Sequence, residues 1–434
     1  PAGLYLPESI VQYLLSPFRP TPVRRSLEHK YGLRTCTISF SSNQSEVRSP
    51  TTPRENMGMH GVSPLCFFPA QEVAFFQQRF AVIMTDRTYT PKNILVTGGA
   101  GFIASHVCIL LATKYPQYKI VNYDMLDYCA SLKNLTSIEG LPNYKFVKGN
   151  ILSADLVNYV LGTEQIDTIL HFAAQSHVDN SFGNSFPFTK TNILGTHILL
   201  ESAKGHGIAR FIHVSTDEVY GEGALNAAQM VEETTLAPSN PYAASKAAAE
   251  FIVKSYALSF KLPVIITRGN NVYGPHQYPE KLVPKLINQI FRGQQLTIHG
   301  NGLNTRNYLH VKDVARAFDC ILHRGTVSEI YNIGGTNEVA NLDVAKKLLS
   351  LMGHDSTEQQ EKMLQFVRDR NFNDLRYTID STKLRGLGWT EQVRWEDGLR
   401  ETIAWYRDNS GNWGDISSSL VAHPRRGQFT TDDE

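Results

Sequence analysis

The stretch Asn93–His106, NILVTGGAGFIASH, constrains the fold of this chain more than any other. An apolar, β-rich run passes through closely spaced glycines into a helical pattern. It fits G-x-x-G-x-x-A through Gly98, Gly101 and Ala104, and G-x-G-x-x-A when read from Gly99. Glycines permit a tight strand-to-helix turn and let the backbone approach a pyrophosphate at the helix N-terminus. Short β-rich runs then alternate with longer helical ones: KIVNYD, YKFVKG, TILHFAA, RFIHVS and VIITRG. That alternation predicts βαβ units, a parallel sheet covered on both faces, and right-handed crossovers that wind it in two directions. In such an α/β doubly wound sheet, ligands sit beyond the carboxyl ends of the strands.

Asp124 ends the second of these runs, about 20 residues after the glycine turn. A carboxylate there accepts from a ribose 2′-OH and repels a 2′-phosphate, which favours NAD over NADP. The predicted organisation has four parts. Residues 1–88, with SPFRPTPVRR and SSNQSEVRSPTTPREN, read as a disordered leader outside the fold. A transit peptide is the alternative there, but Glu8, Glu28, Glu46 and Glu55 depart from its acid-poor composition. Met84 would be a natural start for the folded part. Residues 89–269 are mainly a NAD-binding Rossmann domain, 270–422 mainly a smaller nucleotide-binding lobe with irregular strand spacing, and 423–434 a flexible tail.

The 42 basic residues balance 41 acidic ones, which argues against a nucleic-acid or polybasic membrane partner. No apolar run is long enough for a membrane span. The five cysteines are scattered and form no C-x-x-C, so neither a disulfide framework nor a metal site is expected; a reducing, cytoplasmic setting fits.

Two patterns carry chemistry. In NPYAASKAAAEF, Tyr242 and Lys246 stand at i and i+4, on one face of a helix. A phenol is too weak a base at neutral pH, but a nearby ammonium and a cationic nicotinamide ring favour phenolate, so Tyr242 becomes a candidate proton acceptor. In VSTDEVYG, a strand ends on Thr216 followed by the adjacent acids Asp217 and Glu218. Thr216 can hold a reacting oxygen. An alcohol oxidation needs no acid pair, whereas elimination of water next to a ketone uses one group to give a proton and another to take one.

Together TGGAGFIAS, HFAAQSHVDNS, STDEVYG, NPYAASKAAAE, NVYGPHQYPEKLVPK, TRNYLHVKDVARA, YNIGG and LGW resemble the extended short-chain dehydrogenase/reductases, and within them the dTDP-D-glucose 4,6-dehydratase family. The resemblance covers about Lys92 to Trp413. It implies tightly held NAD, a nucleotide-sugar substrate, and a homodimer formed through helices near 187–206 and 241–261. It implies C4 oxidation of dTDP-glucose, loss of water across C5 and C6, and reduction at C6, yielding the 4-keto-6-deoxy sugar. Tyr242 would take the 4-OH proton, Glu218 the C5 proton, and Asp217 would protonate the departing C6 hydroxyl. By the same resemblance Phe102, Ile103, Asn150, Ile151, Ala173, Ala174 and Thr191 would join Gly98, Gly101 and Asp124 around NAD, beside Tyr242 and Lys246. His177, Thr216, Asn271, Lys281, Leu282, Arg306, Asn341 and Arg370 would hold the nucleotide sugar, the two arginines matching the diphosphate.

The sequence departs from the family's pattern at Asn150, usually Asp; at Asp369-Arg370-Asn371-Phe372-Asn373, commonly Asp-Arg-Pro-Gly-His; and at His299, often Tyr near the nucleotide base. The last two leave thymine and uracil both open. A UDP-glucose 4,6-dehydratase or another UDP-sugar enzyme is the alternative in this fold. A non-catalytic NAD-binding scaffold is the alternative of another class, and it would have no use for Thr216, Tyr242 and Lys246 together.

Overall fold

The computed structural model describes residues 89–222, 229–369, 376 and 378–422. The expected leader (1–88) and tail (423–434) lie outside them. Seven parallel strands form the central sheet, in the order β10-β6-β5-β4-β1-β2-β3. They are β1 (Asn93–Thr97), β2 (Lys119–Asp124), β3 (Tyr144–Lys148), β4 (Thr168–His171), β5 (Arg210–Thr216), β6 (Val264–Gly269) and β10 (Ile330–Ile333). A parallel sheet is covered on both faces, so its strands read as continuous apolar runs. In β1, Ile94, Leu95 and Val96 are all buried.

Helices α1 (Phe102–Lys114), α2 (Ala154–Thr163), α3 (Thr196–His206) and α4 (Pro241–Phe260) follow strands β1, β3, β4 and β5 respectively. Val107 and Leu111 of α1 belong to the core on one face; Val157, Leu199 and Val253 of α2, α3 and α4 belong to the core on the other. Winding reverses between β1 and β4, and this switch point opens the ligand crevice.

The smaller lobe holds a three-stranded sheet, β11-β9-β7, of β7 (Asn271–Tyr273), β9 (Thr305–His310) and β11 (Asn337–Ala340). It also holds the parallel pair β8 (Leu296–His299) and β12 (Leu364–Val367). Helices α5 (Leu282–Phe291), α7 (Asn341–Leu351) and α8 (Trp395–Asp408) share its core through Leu286, Val344 and Leu399. The division expected at residue 270 is crossed twice. Helix α6 (Val311–Arg324) packs Phe318 and Ile321 into the core of α1, and β10 pairs with β6. Residues 311–333 thus belong to the large domain, because an unpaired edge at β6 is better covered by a seventh strand.

One buried ion pair braces the catalytic region. Arg268 of β6 donates to Glu250 of α4 through Nη2 at 2.7 Å and Nε at 3.0 Å. Its Nη1 donates to the Tyr220 hydroxyl at 2.8 Å and the Glu232 carbonyl at 3.0 Å. Both charged side chains are essentially fully buried. Removing one partner strands the other charge, so Glu250→Gln is expected to cost about 3–5 kcal/mol of stability. Urea unfolding checks this; a variant with an unchanged midpoint would show the pair to be dispensable.

Candidate active site

The glycine turn builds one end of the site. Gly98 adopts φ +71°, and a Cβ there would lie 2.9 Å from the Cα and N of Ala173. Only glycine fits that backbone and lets β1 and β4 deliver their ends so close together. Helix α1 follows with no side-chain cap at Gly101, so its first amides point outward without an internal partner. At the end of β2, Asp124 accepts from Ala100 N at 3.0 Å and Leu126 N at 2.7 Å. These bonds fix the carboxylate beside the turn, and each oxygen keeps a further lone pair for a ribose hydroxyl.

A cavity of about 380 Å³ runs along this crevice. It is lined by every residue expected around the dinucleotide: Gly98, Gly101, Phe102, Ile103, Asp124, Asn150, Ile151, Ala173, Ala174, Thr191, Tyr242 and Lys246. Asn150 accepts from Leu152 N through Oδ1 at 2.9 Å, so the amide is oriented even without the carboxylate usual at this place. Thr191 sits in a π-helical stretch, Thr189–Gly195, that leads into α3.

Thr216, Asp217 and Glu218 line the same cavity. Strand β5 breaks into a single 3₁₀ turn at Asp217–Tyr220, capped by the Thr216 hydroxyl accepting from Glu218 N at 3.3 Å. Asn270, at the end of β6, donates from Nδ2 to Asp217 Oδ2 at 2.6 Å, and Thr216 Oγ1 donates to Oδ1 at 3.2 Å. Burial and the neighbouring Glu218 charge push the Asp217 carboxyl up to about 7, against these two donors. Asn240 caps α4 through Ala243 N and donates to Glu218 Oε2 at 3.0 Å. The two acids, adjacent in sequence, are thereby separated: Asp217 is buried and its carboxyl raised, whereas Glu218 keeps partial contact with solvent.

Helix α4 brings Tyr242 and Lys246 into the cavity from one face, both buried. The Thr216 hydroxyl lies beside the Tyr242 phenol and works to lower it. Lys246 Nζ donates to Val214 O at 2.7 Å, and burial lowers its ammonium to about 8. Burial, with the charges of Glu218 and Asp217, holds the phenol well above its ordinary range, and Lys246 is not among the groups that lower it. In the protein alone, desolvation therefore outweighs the lowering by the Thr216 hydroxyl and favours the neutral phenol.

A second cavity of about 180 Å³ continues from the acids into the small lobe. His177, Asn271, Lys281, Leu282, Arg306 and Asn341 line it, and Glu218, Asn271, Lys281 and Leu282 border both cavities. Lys281 Nζ is held by Ser176 O at 2.7 Å, and Arg306 Nη1 by Thr305 O at 2.8 Å. His299 lines the far part and bonds Ala422 O through Nε2 at 2.7 Å. Arg370 lies outside the described residues.

Residues 95–402 match the family described as GDP-mannose 4,6 dehydratase. The chain belongs to this family. It is 58% identical over 340 residues to an Arabidopsis thaliana trifunctional UDP-glucose 4,6-dehydratase/UDP-4-keto-6-deoxy-D-glucose 3,5-epimerase/UDP-4-keto-L-rhamnose-reductase, covering 78% of this chain and 51% of that protein. The chain thus spans about half the length of these plant relatives. It is 49% identical over 334 residues to the human dTDP-D-glucose 4,6-dehydratase, covering 77% of this chain and 95% of the relative. Among solved structures, the dTDP-glucose 4,6-dehydratase of Streptomyces venezuelae, crystallised with NAD, superposes with a TM-score of 0.70 at 41% identity, over 74% of this chain and 98% of that one.

Within this family frame, three supporting residues escaped the sequence reading: Asn192, Asn240 and Asn270. Asn192 accepts from Gln175 N at 2.8 Å and donates to Ser245 Oγ at 2.9 Å, tying the β4 exit to α4. Asn240 was open to detection, since Asn followed by Pro241 is a helix-start signal. Asn192 and Asn270 carry no local signal, because their partners are 17 and 53 residues away.

Proposed function

We propose that this protein is an NAD-dependent nucleotide-sugar 4,6-dehydratase that converts dTDP-glucose to its 4-keto-6-deoxy product with loss of water. The observation that carries the reading is the pair of neighbouring acids held in two different settings, Asp217 buried between Asn270 and Thr216 and Glu218 held by Asn240 at the cavity wall. An oxidation or epimerisation at C4 has no use for that difference; an elimination needs one acid and one base.

The crevice fits NAD by its own geometry: a turn that admits no Cβ at Gly98, uncapped amides at the start of α1, and a fixed carboxylate at Asp124. When bound, NAD would supply the hydride acceptor for C4 and the hydride donor for C6, C5 regaining a proton in the last step. Tyr242, beside Thr216 in the same cavity, takes the 4-OH proton. Lys246, with the cationic ring that bound NAD would bring, would supply the positive charge that favours the phenolate. Glu218, steadied by Asn240, removes the C5 proton, made acidic by the adjacent ketone. Asp217 gives its proton to the C6 hydroxyl as water leaves. Asn271, Lys281, Arg306 and Asn341 bind the nucleotide diphosphate, and Arg370 is assigned to the same role by resemblance.

UDP-glucose is the second reading, favoured by the 58% identity to the plant relatives. Assays with dTDP-glucose and UDP-glucose in parallel test both, since a 4-keto-6-deoxy sugar develops a strong absorbance in alkali. Absence of that product from both would sink the dehydratase reading. We also propose a cytoplasmic homodimer through α3, α4 and the stretch before α3. Leu194, Phe251, Leu258 and Phe260 there are 50–73% exposed, more apolar surface than one helix pair leaves to water without a partner. Sedimentation as a monomer at micromolar concentration would refute the pairing. No helix among the described residues is long and apolar enough to cross a membrane.

A further inference from the structure

The cavity in the small lobe contains a cation to which nothing above gives a task. Lys285 lines it, yet the residue is only 6% exposed. Among the described residues no carboxylate lies within ion-pair distance of its ammonium; Asp179, which lines the same cavity, favours the charged form without pairing with it. Its partners are main-chain carbonyls of the last described residues, Val421 O and, at 3.5 Å, Ala422 O. Burial lowers the ammonium to about 8. An ammonium has three N–H donors, and an unpaired buried charge is costly. Lysine at such a place is justified when a ligand completes its hydrogen bonds.

The segment behind Lys285 is built to stay in place. Gln289 Nε2 donates to Leu420 O at 2.9 Å and to Thr297 Oγ1 at 3.0 Å, and His299 bonds Ala422 O. Helix α5, strand β8 and the C-terminal segment thus meet around one ammonium. Position decides which part of the ligand it meets. Lys281, at the start of α5, borders the cavity shared with Glu218, where the hexose and diphosphate belong. Lys285 is one turn further along, about 6 Å from Lys281 on the helix axis, beside Thr297 and His299 and bordering only the second cavity. A hexose at Glu218 followed by two phosphates leaves the nucleoside at this end.

We propose that Lys285 is a specificity residue that donates to a ring carbonyl of the pyrimidine base, with Ser419–Ala422 as the brace behind it. This rests on the nucleotide-sugar reading above. Uracil and thymine share the imide carbonyls, so the contact selects both and does not choose between them.

The test uses the full protein loaded with cofactor. Inhibition by UDP, dTDP and inorganic pyrophosphate is compared in the parent and in Lys285→Met, with the better of the two nucleotide glucoses as substrate. A charged hydrogen bond supports about a 10–100-fold effect. The inhibition constants of UDP and dTDP are expected to rise together by that factor and that of pyrophosphate to stay put. The loss falls on KM rather than on kcat, and Lys285→Arg recovers most of it. Equal weakening of pyrophosphate would place Lys285 on the diphosphate and overturn the proposal, as would unchanged nucleotide inhibition. Lys285→Gln keeps an N–H for the tail carbonyls and carries the same comparison if the Met variant does not fold. If the parent turns over neither substrate, the dehydratase reading fails on its own, separately from this inference.

Discussion

Tyr242→Phe is expected to slow turnover by roughly 10²–10⁴-fold while cofactor content stays near that of the parent. The substitution removes one oxygen and keeps the ring. The edge-on packing of that ring against Phe188, with centroids 6.3 Å apart, needs no hydroxyl. Thr216 retains Asp217 and Glu218 N as partners, so the 3₁₀ turn is kept. On the proposed mechanism, what is lost is the acceptor for the 4-OH proton. The buried phenol, raised further by the charges of Glu218 and Asp217, depends on bound positive charge to ionise. The assignment therefore carries a second readout: the pH dependence of the first oxidation should shift toward acid in Glu218→Gln, which removes one of those negative charges. Near-normal turnover of the Phe variant would mean that another group takes the proton.

The parts of the molecule legible in the sequence are those whose signal is local. Strands β1, β2, β4, β5 and β6 are almost continuously buried and rich in Ile, Val and Leu because a doubly covered parallel sheet demands it. Gly98 announces itself because only glycine tolerates its backbone at that distance from Ala173. Long-range effects were hidden. The return of β10 to the edge of β6 joins residues more than 60 positions apart, and no period within either strand encodes it. The upward push on Tyr242 was hidden too, because the i,i+4 spacing shows Lys246 nearby but not the burial that outweighs it. Lys285 reads in the sequence as an ordinary helix lysine; only the C-terminal segment folded over it makes its burial visible.

Asp217→Asn is expected to separate the oxidation from the elimination. Asn has nearly the same shape, so Asn270 keeps an oxygen to donate to, but the transferable proton is gone. Tyr242, Thr216 and Lys246 are untouched, so C4 can still be oxidised, and the 4-keto sugar then lacks an efficient route to expel water. Overall turnover should fall by roughly 10²–10⁴-fold. Rapid-quench analysis should find the 4-keto, still 6-hydroxylated sugar, accompanied by a longer-lived reduced-cofactor absorbance. The pH dependence gives an independent check. The parent carboxyl is raised from its ordinary 3.8 to about 7, so its protonated fraction, and with it elimination, falls as pH rises through about 7. The Asn variant should lack that alkaline limb. The same shift has a sign for stability: a raised carboxyl favours folding most at low pH, and that benefit is lost as pH rises through about 7. The stability of the variant relative to the parent should therefore improve from pH 4 to pH 8. If the ketone never appears in a variant that binds cofactor and substrate, Asp217 acts before or during oxidation. If turnover is normal, the acid is only structural, and the elimination assigned to this site fails with it.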